Sequence, residues 1–169
     1  MPSHTIREVQ EQDREPVITI FNHYVTTSFA AYPDHPMPLG FFDVLREGAH
    51  AFLVIERDGD VVGIGLVKPF LPFFTFSHTA TVSTFIAPSY RHMGYGTVLL
   101  DAMTGAAKKK GIAVLLANIS SRNPESLAFH KKHGFTECGR FHNVGMKFNE
   151  RFDVVWMEKD LEWAPAASR

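Results

Sequence analysis

Thr84-Phe85-Ile86-Ala87-Pro88-Ser89-Tyr90-Arg91-His92-Met93-Gly94-Tyr95-Gly96 is the stretch on which the rest of the chain depends. An apolar strand runs into a proline-marked turn, then a loop with a cation and two glycines, then a helix. From Tyr95 onward, Tyr95, Val98, Leu99, Ala102, Met103 and Ala106 recur at i, i+3, i+4 and i+7, the period of a helix buried along one face. Lys108, Lys109 and Lys110 fall in its last turn, where cations suit the helix dipole, and Gly111 follows as the terminating residue. The first turn of such a helix has N–H groups without intrahelical partners and carries partial positive charge, so this order of elements makes a place for an anion. Gly94 and Gly96 let the loop approach a diphosphate closely, and Arg91 adds full charge. Taken alone, the loop reads equally as a plain strand-to-helix turn. It has neither the Gly-Lys-Ser/Thr of a P-loop nor the third glycine of the dinucleotide fingerprint.

Arg91-His92-Met93-Gly94-Tyr95-Gly96 resembles the Gln/Arg-x-x-Gly-x-Gly/Ala signature of the GNAT superfamily of acyl-CoA-dependent N-acyltransferases. A second stretch, Ser120-Ser121-Arg122-Asn123-Pro124-Glu125-Ser126-Leu127-Ala128-Phe129-His130-Lys131-Lys132-His133-Gly134-Phe135, is similar to that superfamily's Asn-x-x-Ser/Ala…Lys-x-x-Gly-Phe region. Within the superfamily the chain resembles the phosphinothricin acetyltransferase-like branch. The residues behind that resemblance are Phe21-Asn22-His23 with Phe29 following, His78-Thr79, His130, Val144-Gly145-Met146-Lys147-Phe148 and Asp153-Val154-Val155-Trp156-Met157.

At 169 residues the chain reads as a single domain over residues 1–163 with a frayed tail at 164–169. A net charge of −1 argues against electrostatic capture of nucleic acid or an anionic membrane. The single cysteine, Cys138, excludes an internal disulfide and a Cys-based zinc cluster. Nine histidines form no metal-binding pattern; His130 and His133, three apart on an expected helix, read as helix-end residues, and no metal is expected. The chain shows no signal-peptide pattern and no apolar run of membrane-spanning length, which gives a cytoplasmic expectation.

The chain in order predicts a strand at 5–9, a helix capped by Asp13 and running to 27, and a Pro- and aromatic-rich loop at 28–38. A short helix at 39–47 is followed by a hairpin, 51–56 and 61–67, turning at Arg57-Asp58-Gly59-Asp60. A connection at 68–77 with four phenylalanines leads into a central strand at 79–86. After the loop and its helix come a strand at 113–119, a helix at 124–132 capped by Asn123, and closing strands at 136–144 and 152–159. The fold class is α/β, a central mixed β-sheet flanked by helices. It is also the order of the GNAT fold.

The resemblance implies an acetyl-CoA-dependent N-acetyltransferase acting directly on the amine of a small molecule, an amino acid or an analogue such as phosphinothricin or methionine sulfone or sulfoximine. It implies that backbone groups of Phe85 and Ile86 pair with pantetheine and that Arg91, His92, Met93, Gly94, Tyr95, Gly96 and Thr97 hold the diphosphate. Asn123 and Ser126 would contact the pantetheine arm or a nearby phosphate, and His130 stands where the family's acid for the leaving thiolate is found. Phe29 and Tyr32 line the acceptor pocket or pin their loop to the body. A homodimer is expected by resemblance. The branch carries a glutamate where this chain has Thr81, so the base for the amine is open between His78, Glu150 and an ordered water; Thr81 itself stays a substrate-contact candidate. General-base help is worth ~10²–10⁴-fold, so its absence supports a competing reading, an acyl-CoA-binding sensor without turnover.

Overall fold

The computed structural model describes residues 3–162, so the tail expected at 164–169 lies outside the described residues. Seven strands form one sheet: β1 (Thr5–Glu8), β2 (Ala51–Arg57), β3 (Asp60–Pro69), β4 (Thr79–Ile86), β5 (Val114–Ser120), β6 (Thr136–Lys147) and β7 (Glu150–Asp160). Their spatial order is β1-β2-β3-β4-β5-β7-β6, antiparallel throughout except where β4 and β5 run parallel. The β2–β3 hairpin turns at Asp58 and Gly59, both with positive φ (53° and 89°), as a two-residue hairpin requires.

Helices α1 (Arg14–Thr27) and α2 (Phe41–Arg46) cover one face, and α3 (Tyr95–Lys109) with α4 (Pro124–Lys132) covers the other. Val17, Ile18, Ile20 and Phe42 pack on Phe52, Val54 and Ile64. On the opposite face Tyr95, Leu99, Leu100 and Met103 pack with Leu53, Ile55, Leu115 and Val155. The helix α3 lies close to β3 because Gly65 has no side chain; a Cβ there would stand 2.7 Å from Met103 Sδ and 3.0 Å from Leu99 Cγ.

The elements differ from expectation at three places. Asp13 precedes α1 but its carboxylate does not cap it. It accepts Arg7 Nη1 at 2.7 Å, Arg7 Nη2 at 3.0 Å and the Gln10 N–H at 2.7 Å, which ties β1 to the helix start. The second helix is shorter, Phe41–Arg46, and the first closing strand is longer, Thr136–Lys147. The last strand, β7, docks against β5, which leaves β6 at the edge of the sheet.

Candidate active site

Only three residue pairs join β4 to β5: Thr79 to Val114, Ala80 to Leu115 and Thr81 to Leu116. Beyond Thr81 the two strands have no ladder between them, and a wedge opens toward the C-terminal ends of both. Which backbone groups of β4 face it follows from the alternation of an antiparallel ladder. The Ala87 N–H donates to the Val62 carbonyl and the Phe70 N–H to the Thr79 carbonyl, so odd-numbered residues turn their amides toward β3. Even-numbered residues turn the other way; the His78 carbonyl accepts the Ala113 and Val114 N–H groups on the β5 side. Thr84 and Ile86 therefore present backbone groups to the wedge, with no strand opposite. This corrects the expectation for Phe85, whose amide faces β3 opposite Ile64 and whose ring packs edge-on against Phe21. Ile86 turns its amide toward the wedge, and its carbonyl accepts the Tyr24 hydroxyl from α1.

The mouth of the wedge is the anion loop. Gly94 takes φ 86° immediately before α3, and no side chain caps the helix. The first bond inside the helix runs from the Val98 N–H to the Gly94 carbonyl, so the amides of Tyr95, Gly96 and Thr97 have no partner within α3. Tyr95 contributes only that amide, since its ring is 1% exposed in the core. Gly96 faces Phe129 of α4, where a Cβ would meet the ring at 3.4 Å. His92, in the left-handed region at φ 61°, and Met93 are exposed. Arg91 pairs with Glu125 in the first turn of α4, and His92 lies 3.8 Å from the same carboxylate. That pairing, invisible in the sequence, places the one carboxylate of the α4 first turn beside the loop's guanidinium.

On α4, Asn123 Oδ1 accepts the Ser126 N–H at 3.2 Å and caps the helix as expected. His130 is 7% exposed and not the solvent-facing residue that a helix end suggests. Its Nδ1 lies 2.8 Å from the Ser126 carbonyl, which can only accept, so Nδ1 carries the proton and Nε2 the lone pair. Burial lowers the imidazole's pKa and keeps it neutral near pH 7. His133 donates from Nδ1 to the Phe129 carbonyl at 2.7 Å and accepts the Thr97 hydroxyl at Nε2, 3.0 Å away. The Thr97 side chain thereby joins α3 to α4, leaving its amide for the loop. Among the described residues no group of three or more His, Cys, Asp or Glu side chains could hold a metal ion.

The other face of the wedge is aromatic. Ala80 and Val82 pack with α3, so Thr79, Thr81, Ser83 and Phe85 point toward α1 and the 28–38 loop. By the same alternation Phe152, Val154 and Trp156 of β7 share that face, because Val155 and Met157 belong to the α3 side. Tyr32 stacks on Phe152 at 5.9 Å and Phe29 meets it edge-on at 5.7 Å, so both expected pocket residues reach this face. Phe70, at the end of β3, reaches over β4 and β5 to meet Trp156 at 6.0 Å. Lys147, which the sequence marks only as part of the branch resemblance, has a definite structural place. It is 4% exposed, and its ammonium donates to the Ser28 and Ala31 carbonyls at 2.7 Å each, fastening the 28–38 loop to β6. His78 is exposed at the closed end of the strand pair, three residues before Thr81. Glu150, the other side chain expected as a candidate base, is held by Arg122 Nη1 at 2.6 Å on the β6–β7 turn. A separate groove of about 530 Å³ between α1 and Pro88 shares no residue with the aromatic face.

The family described as Acetyltransferase (GNAT) matches residues 17–135. The L-methionine sulfoximine/L-methionine sulfone acetyltransferase of Pseudomonas aeruginosa is 28% identical over 95% of this chain and 96% of its own. The phosphinothricin N-acetyltransferase of Alcaligenes faecalis is 31% identical over 93% of this chain and 82% of its own. A Salmonella typhimurium acetyltransferase structure with its cofactor acetyl-CoA superposes with a TM-score of 0.86 at 28% identity, covering 98% of each chain. The wedge, with its unpartnered amides and the helix start at its mouth, fits an acyl thioester that carries a diphosphate. The chain is an acetyl-CoA-dependent N-acetyltransferase and belongs to the GNAT family.

Proposed function

We propose that the acetyl group goes to the primary amine of a small molecule of amino-acid size, and that the wedge between β4 and β5 is where the thioester meets that amine. The observation that carries this reading is the wedge itself, with amides of Thr84 and Ile86 facing it and the start of α3 at its mouth. The two relatives named for methionine sulfoximine and phosphinothricin support the acceptor class. Bound acetyl-CoA supplies an electrophilic thioester carbonyl. The chain's own groups then do three things. Arg91 and the amides of Gly94 to Thr97 neutralise and orient the diphosphate. Backbone N–H groups of β4 meet the negative charge that grows on the carbonyl oxygen. His130 gives a proton to the departing sulfur when its ring is protonated.

The experiment is release of free CoA-SH from acetyl-CoA in the presence of methionine sulfone, methionine sulfoximine, phosphinothricin, the common amino acids and simple polyamines. Turnover on one of these amines is expected. Tight acetyl-CoA binding with no thiol from any amine would favour the sensor reading, which Thr81 supports by offering no base.

We also infer a homodimer through β6. This twelve-residue edge strand is exposed along nearly its whole length and carries Phe141, Val144 and Met146 outward, with Phe148 in the turn beyond. A second copy is the occupant that repeats this surface and satisfies it. A cytoplasmic location is supported by the use of acetyl-CoA and by an unpaired cysteine. The near-neutral charge favours neither nucleic acid nor an anionic membrane as a partner.

A further inference from the structure

We propose that the acceptor is an apolar, aromatic-sized primary amine without a carboxylate, and that Glu158 takes the proton that its nitrogen must lose. This rests on the small-amine reading above and narrows it.

The argument begins with register. Lys68 pairs with Thr81, Thr81 with Leu116 and Leu116 with Glu158, so these four side chains lie on one line across the sheet and on one face. The line crosses the closed end of the wedge. Thr81 offers it only a hydroxyl. Glu158 stands two strands away, roughly 10 Å between Cα atoms from the usual inter-strand spacing, and is exposed. It is thus the carboxylate at the level where the strands part, arriving from β7 where β4 has none.

The remaining charges on this face are committed. Lys68 Nζ donates to the Val44, Leu45 and Glu47 carbonyls at 2.9, 3.1 and 2.6 Å, capping α2 and turning from the wedge. The ammonium of Lys147 is held under the 28–38 loop. Asp160 lies one step further along β7, opposite Val114, and accepts the Glu162 N–H. The thiol of Cys138 is the neighbouring titratable group on β6, and partial burial, followed by the adjacent Glu158 carboxylate, raises its pKa, so it stays neutral. Among the described residues of this face, none presents an uncommitted cation to an acceptor's carboxylate. The walls suit an apolar body: Phe70 against Trp156, two residues along the strand from Glu158, and Phe29 and Tyr32 against Phe152. The connection that carries Phe70 continues through exposed Leu71, Phe73 and Phe74, the last 92% exposed, without a charged residue.

A carboxylate facing an aromatic site attracts an ammonium and disfavours an α-carboxylate. The ammonium gives one proton to Glu158, which passes it to solvent. The freed electron pair forms the N–C bond to the thioester carbonyl carbon and the C–S bond breaks. The second nitrogen proton ends on the thiolate, so RNH₃⁺ and acetyl-CoA give the N-acetyl amide, CoA-SH and one H⁺. An amine of pKa near 10.4 is less than about a thousandth neutral at pH 7, so the base matters most for such amines.

The test compares phenylalanine, phenylalaninamide and phenethylamine as acceptors, by thiol release and by calorimetric binding to the CoA-saturated enzyme. We expect both carboxylate-free amines to exceed phenylalanine by about tenfold or more in kcat/KM and in affinity. Glu158→Gln should cut kcat/KM by ~10²-fold for strongly basic phenethylamine and by much less for the weakly basic amide. Adding Thr81→Glu, which places a carboxylate at the other end of the same line, should restore most of the loss; a merely structural Glu158 would not be rescued. Preference for phenylalanine or methionine sulfoximine over the amide overturns the inference and leaves the transferase intact. So does an equal loss on both amines in Glu158→Gln. Acetyl-CoA binding with no thiol from any amine overturns the small-amine reading itself, and this inference with it.

Discussion

His130 and Lys147 show how one side chain's surroundings fix what it can do. An imidazole on the last turn of a short helix is ordinarily wet and titrates near 6.5. Here burial disfavours the cation, so the protonated fraction falls further below that of a free histidine at every pH. The sign follows directly: a proton donor at His130 is populated only as pH drops through the lowered pKa. Replacing it with alanine should therefore cost ~10-fold or more in kcat at about pH 6 and much less at about pH 8. A deficit that does not change with pH would make His130 a packing residue against Phe129 and Phe135. Lys147 is buried for another purpose. Its ammonium satisfies two carbonyls of a loop 116 and 119 residues earlier in the chain, and that loop carries Phe29 and Tyr32. In Lys147→Met both carbonyls lose their donor, at a cost of about 1–3 kcal/mol. We expect a lower melting temperature and a several-fold higher acceptor KM with an unchanged acetyl-CoA Kd. An unchanged acceptor KM would confine Lys147 to stability.

At the scale of elements, the site depends on how α4 lies against the start of α3. Gly96 and Thr97 meet Phe129 and His133 at the far end of α4, while Glu125 in its first turn pairs with Arg91, the guanidinium that a diphosphate would also engage. An exposed pair of this kind contributes only about 0–1 kcal/mol. Glu125→Gln should accordingly tighten acetyl-CoA binding by no more than about fivefold at low salt, with the gain vanishing as screening rises. Weaker binding in that variant would mean that Glu125 holds Arg91 in place for the ligand instead of withdrawing it. Gly145 makes a comparable demand on packing. A Cβ there would stand 2.1 Å from Phe152 Cζ, and that ring also supports Phe29 and Tyr32. The edge hairpin and the aromatic face are consequently one packed unit.

For the whole molecule, what the sequence discloses is local and what it conceals is register. The period of Tyr95, Leu99 and Met103, the turn at Asp58-Gly59 and the Asn123 cap all act within a few residues, and each lies where pattern places it. The wedge arises because β4 and β5 share only three pairs, and the line from Thr81 to Glu158 exists only once β7 inserts beside β5. No spacing along the chain encodes either. The direction of the Phe85 amide is hidden for the same reason, since amide direction alternates and cannot be told until one ladder bond is known. The insertion of β7 also exposes β6, and this is where the last prediction belongs. An edge strand of twelve residues with Phe141, Val144 and Met146 outward is an open template for pairing. If a second copy covers it, the protein sediments as a dimer at micromolar concentration, and placing charge in the patch with Val144→Lys and Met146→Glu yields a monomer of unchanged circular dichroism. The aromatic face adjoins this strand through Phe148 and Phe29, so the monomer should also lose affinity for the acceptor while retaining acetyl-CoA. A wild-type protein that sediments as a monomer across that range would leave β6 protected by its own twist and charges, and would place the whole acceptor site within one chain.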